Sequence, residues 1–109
     1  MKRIGGNITA QIQVKTETGR NRMGERIVDW LTVHEPKGFL DLMNGDSHYT
    51  NYNAKLQEST HIFLCDYFPM DVSEKEARLL INGKIYDLKY IDDPMGLHEH
   101  LELFLQYVG

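Results

Sequence analysis

The residues of this chain best suited to chemistry lie toward its end. His98-Glu99-His100 sets two imidazoles two positions apart, and residues so spaced on a strand share one face. Imidazoles in that arrangement can chelate zinc, but a tetrahedral site needs further ligands, and neither the helical HExxH spacing nor any CxxC pair is present. Polar decoration at the start of a strand is the simpler account. Asp92 and Asp93 form a carboxylate pair, yet they stand just before Pro94, where turn chemistry explains them better. Cys65 is the single cysteine, so no internal disulfide is available. It sits in an apolar strand pattern without a cationic setting, which reads as a small buried hydrophobe rather than a nucleophile paired with a histidine. A GxSxG elbow, a Walker loop and a GxGxxG turn are all absent. No enzymatic constellation is formed, and neither metal nor cofactor is expected. His48, Tyr49 and Tyr52 can stack bases in the way of OB-type single-strand binders. Lys55 is their one nearby cation, however, and Asp41, Asp46 and Glu58 oppose it.

Small strands must position these groups. Asn82-Gly83 stands between two apolar, β-rich arms, Leu79 to Ile81 and Lys84 to Ile91, and that dipeptide is the strongest short-range hairpin signal. A two-residue type I′ loop needs positive φ at both central positions, which Asn and Gly tolerate best. Tyr86, Leu88 and Tyr90 then share the expected core face, with Asp87 and Lys89 toward solvent. The hairpin is expected to be the centre onto which the other strands assemble.

Ile8, Ala10, Ile12 and Val14 alternate with Thr9, Gln11, Gln13 and Lys15, the mark of a half-buried strand. A polar, Gly-punctuated turn follows over 18–24. Ile27 to Val33 is a second strand, with Trp30 as a core anchor, and Pro36 places that strand at an edge or bends it. Phe39, Leu40 and Leu42 suggest a brief third strand. From Met43 to Glu58 both periodicities fail, and a connection of that length in a small domain is more often functional than filler. Ser59 to Tyr67 returns to strand character. Ser73-Glu74-Lys75-Glu76 has the capping-box pattern for a helical turn. Asp92 to Gly96 is a turn, and Leu101, Leu103, Leu105 and Tyr107 mark a last strand alternating with Glu102, Phe104 and Gln106. The fold expected is mainly β: a small antiparallel β-barrel of about six strands, with one long loop and a short helical turn.

At 109 residues one domain spanning 1–109 is expected. The longest uninterrupted apolar run, Ile62 to Cys65, is far too short for a membrane span. Lys2-Arg3 is followed by Ile-Gly-Gly-Asn instead of an apolar segment, so no signal peptide is visible and the protein reads as intracellular when made. Net charge is −4 but uneven: residues 1–28 hold six basic side chains against Glu17 and Glu25, a local +4, which leaves −8 on the remainder. Such polarity suits head-to-tail complementarity between copies, or simply a basic surface turn on an acidic domain. The acidic total argues against general affinity for duplex DNA.

Taken in order, these elements resemble the head-closure, or stopper, proteins of the neck of tailed bacteriophages, which are head–tail adaptor or joining proteins. The likeness spans nearly the whole chain. It rests on the alternating strand Ile8–Val14, the Gly24…Asp29-Trp30 strand after a polar turn, and the long loop. It continues through Gly83-Lys84-Ile85-Tyr86-Asp87-Leu88, similar to a G-K/R-x-Y-x-I pattern, the Asp92-Asp93-Pro94 turn and the Leu101-Glu102-Leu103 strand. The chain departs from the family at His34-Glu35-Pro36-Lys37, where many members run on into an apolar W-A segment. Tail terminators and minor capsid proteins are of similar size and stay open as alternatives, as does a small OB- or SH3-like module for single-stranded nucleic acid. The resemblance implies a virion neck subunit, made in the host cytoplasm, that rings beneath the portal and adaptor. It would close the DNA channel after packaging, dock the tail or its terminator, and touch packaged DNA only passively. By that resemblance the 43–58 loop is the channel plug, with Asn44, Asp46, Tyr49, Asn51, Tyr52, Asn53 and Lys55 as its residues. Arg20, Arg22 and Arg26 are the expected subunit or adaptor contacts.

Overall fold

The computed structural model describes residues 5–42 and 59–109. The fold is mainly β, and the described strands are β1 (Ile8–Arg20), β2 (Arg26–His34), β3 (Lys37–Leu42), β4 (His61–Asp66), β5 (Ala77–Ile81), β6 (Lys84–Asp92) and β7 (His100–Tyr107). Every pairing is antiparallel. The strands run in the order β2-β1-β3-β4-β7-β6-β5, and β5 also pairs with β1. Six strands therefore close a barrel, and β2 lies outside the ring as a flap on β1. Closure removes the open edges that a flat sheet would expose.

The β5–β6 loop is the two-residue hairpin its sequence demands. Asn82 and Gly83 have φ of 52° and 78°, and Ile81 pairs with Lys84 across the turn. The hairpin is nonetheless one segment of the ring and not its centre. β1 has that position: Ala10 to Val14 pair with β5 on one edge, while β2 and then β3 occupy the other. Pro36 makes this succession possible by ending β2 and bending the chain, and its carbonyl accepts the Ala10 amide at 2.9 Å.

Alternation delivers the core. Ala10, Ile12, Phe63, Cys65, Leu79, Ile81, Tyr86, Leu88, Leu101, Leu103 and Leu105 are buried together. The expected Tyr86/Leu88/Tyr90 face breaks at its last member, because a bulge between Leu88 and Tyr90 shifts the register. Tyr90 instead packs beside Phe104 at 5.9 Å between ring centroids, and Phe104 is buried although it faces away from Leu103 and Leu105. Gly38 is buried where β3 crosses β4, and a Cβ there would strike the Leu64 carbonyl. The helical turn is a single 3-10 turn, Glu74–Glu76, and the Ser73 side chain makes no cap bond; the closing hydrogen bond runs from the Glu76 amide to the Ser73 carbonyl at 3.1 Å.

Candidate interaction surface

Beyond Val14, β1 pairs only with β2. The expected turn over 18–24 is therefore shorter: its first three residues belong to β1, which continues to Arg20, and the turn closes over 21–25. The continuation is legible in residue types, since Thr16 and Thr18 favour strand while the apolar alternation of the barrel has stopped. The result is a two-stranded arm that continues past the closed ring.

The tip is tied by its own side chains. Asn21 Oδ1 accepts the amides of Met23 and Glu25 at 2.9 and 3.0 Å, and an Arg20 Nη donates to the Gly24 carbonyl at 2.8 Å. Arg20, Arg22 and Arg26 thus lie together around one turn. Arg26 approaches Glu17 only at 4.0 Å between two exposed groups, a pairing that contributes little. Apolar side chains accompany the arginines: Met23 is 84% exposed, Leu31 56%, and Ile27 and Val28 45% each.

At its root the arm is clamped to the barrel. The Arg78 guanidinium lies 4.2 Å from the centre of the Trp30 ring and donates from Nε to Gln13 Oε1 at 2.8 Å. Gln13 Nε2 in turn donates to Thr32 Oγ1 at 3.3 Å. Trp30 is accordingly half-buried and packed on the arm under a cation, outside the core for which its size suggested it.

The groups first suspected of chemistry collect at the same end of the barrel as the arm, where β4 ends and β7 begins. Asp93 accepts the His98 amide at 3.0 Å and makes a very short contact with His98 Nδ1. His98 also meets the edge of Tyr67 at 4.4 Å between centroids. His100 Nε2 pairs with Glu102 at 3.0 Å. Each imidazole is turned to its own carboxylate, and among the described residues no three metal-binding side chains converge. Asp92 stands opposite Glu102 in the β6–β7 register. Burial first, then the Glu102 and Asp93 carboxylates, hold the Asp92 carboxyl above its usual range, against a smaller opposing effect from His100. Met95 (90% exposed) and Leu97 (57%) stand beside these acids.

Cys65 is fully buried. Burial, and then Asp66, push its thiol up to about 12, so it stays protonated at neutral pH and is no nucleophile. A cleft of about 490 Å³ lies between the β2–β3 bend and the end of β4, lined by Gly6, His34, Pro36, Tyr67 and Phe68 among others. The plug residues Asn44, Asp46, Tyr49, Asn51, Tyr52, Asn53 and Lys55, and the stacking group His48, Tyr49 and Tyr52, lie outside the described residues.

No family model and no curated protein matches this chain. Solved structures do share its fold. Protein SF1141 from Shigella flexneri 2a, known from a solution structure, superposes with a TM-score of 0.73 at 17% identity, over 98% of this chain and 96% of that one. A chain of the native gene transfer agent virion superposes with a TM-score of 0.58 at 14% identity, over 94% of each. At such identities the likeness is one of fold.

Proposed function

We propose that this protein is a structural subunit of a phage or phage-derived virion, and within that class a single-domain neck protein of the head-closure type. The observation that carries the reading is the end-to-end match of this barrel to a chain built into a gene transfer agent particle, over 94% of both. The surface agrees with it. The features of note are a projecting arm and a charged rim, which suit contacts between proteins, while the suspected catalytic groups pair with one another or are buried. One of the fold neighbours is a virion component, which supports a structural role over an enzymatic one.

In the finer form of this proposal, residues 43–58 between β3 and β4 plug the channel, and Arg20, Arg22 and Arg26 make subunit or adaptor contacts. A nearly neutral, Asn- and Tyr-rich segment offers phosphates few cations, so it can block DNA without holding it. Deleting residues 44–57 is expected to leave a folded barrel and to yield heads that lose their DNA. Heads that keep their DNA and deliver it normally would refute the plug. The rival single-strand binding module is less favoured: Trp30, the largest ring on the described surface, is already covered by Arg78.

A further inference from the structure

We propose that the β1–β2 arm seats on the acidic rim of a second copy of this chain, so that subunits join head to tail. The inference rests on the structural-subunit reading and names the partner surface within it.

The arm is an unfinished structure as it stands. Six residues of β1 extend past Val14, about 20 Å of ribbon at ~3.3 Å per residue. An isolated two-stranded ribbon is only marginally stable, and this one exposes Ile27 and Leu31 on one face and Val28 on the other. Its tip is basic. Arg20, Arg22 and Arg26 oppose only Glu25 over 20–26, and covering such a tip calls for an acidic surface with apolar knobs of its own.

The turn after β6 is such a surface. Asp92, Asp93 and Glu99 flank exposed Met95 and Leu97 along the chain, and Glu102 faces Asp92 from the next strand. Asp93 and Glu102 already face His98 and His100, yet Asp92 still feels both carboxylates, and an arriving guanidinium relieves that repulsion. Apolar area and charge of opposite sign thus occur together on both patches.

Their placement selects the geometry. In the ring β1-β3-β4-β7-β6-β5, the β6–β7 side lies across the barrel from β1. The arm and its receptor therefore spring from strands that are not neighbours in the ring, at the same end of the barrel. Two different patches that pair in this way form a heterologous contact, which repeats from copy to copy and closes into a ring when the rotation allows. A symmetric arm-to-arm dimer would bring like-charged tips together.

Paired cysteines test this with the full chain, because Cys65 is buried. Arg22→Cys and Leu97→Cys variants, mixed under mild oxidation at low salt, are expected to give mixed disulfide dimers. Either variant alone should give few dimers, and one chain carrying both should give a ladder. Adding Arg20→Glu and Arg26→Glu to the arm variant should lower the yield about tenfold, and Asp92→Arg with Glu99→Arg in its partner should restore it. Efficient self-crosslinking of Arg22→Cys alone would mean an arm-to-arm contact and overturn the proposal. No mixed dimers, or their loss to an added oligonucleotide bound at the arm, would overturn it as well. Plug deletion in assembled particles reads the functional proposal independently, so either can fail without the other.

Discussion

At the scale of the residue, the chain's reactive groups are arranged for pairing and burial. His34 hydrogen-bonds Asp71 at 3.1 Å, and that bond holds the exposed Asp71 carboxyl below its usual range. At His61, burial first and then Lys84 lower the imidazole from its ordinary range. Asp92 is the exception, a carboxylate the fold would rather keep protonated. The folded protein therefore binds this proton more tightly than the unfolded chain does. Stability falls as pH rises from the ordinary carboxylate range through the raised value, and the deficit persists at neutral pH. Asp92→Asn is expected to raise the melting temperature by a few degrees at pH 7 in dilute monomer, with the gain vanishing below about pH 4. A variant that melts with the parent at pH 7 would show that Asp92 carries no penalty.

At the scale of the element, two seams depend on small details of backbone. The β3–β4 seam needs Gly38, because any side chain there meets Leu64 and the Phe63 ring. Gly38→Ala is expected to cost about 3 kcal/mol in denaturant unfolding, as overpacked sites do at their worse end. A loss below about 0.5 kcal/mol, the size of an ordinary surface change, would mean that β3 slides freely to make room. The β1–β2 arm depends on its root, where Trp30, Arg78, Gln13 and Thr32 form one connected group. That group ties β2 at the root of the arm to β1 and β5.

At the scale of the whole molecule, the closed ring and the open arm are regions of unequal stability. Barrel strands have partners on both edges and a shared core, whereas residues 16–29 belong to a ribbon with water on both faces. Native-state hydrogen exchange on dilute protein should show this directly. Amides of Ile12, Phe63, Leu79 and Leu103 are expected to exchange only through global unfolding, and those of the arm by local opening at least about a hundredfold faster. Arm amides as protected as the core would mean that arm and barrel fold as one unit. On the proposed head-to-tail contact, the same amides would gain protection as concentration rises.

Much of this was determined by the sequence itself. Alternation at Ile8–Val14 and Leu101–Leu105 marked core strands, because a period of two puts every second side chain on one face whatever the topology. Asn82-Gly83 set its hairpin, because only residues that accept positive φ can close a two-residue loop. Burial of Cys65 followed from its strand pattern. Local patterns do not contain strand order, and what depended on order was decided by the tertiary structure. That includes β1 as the most heavily paired strand, the hairpin as one segment of the ring, and the bulge after Leu88 that moved Tyr90 off the core. Trp30 left the core because β2 closes no part of the ring, so its large ring found Arg78 instead. The arm and the acidic rim came to lie at the same end, on strands that are not neighbours, for the same reason. Charges far apart in the chain acquire a spatial relation only when the barrel closes, since closure alone fixes which strands face each other across it.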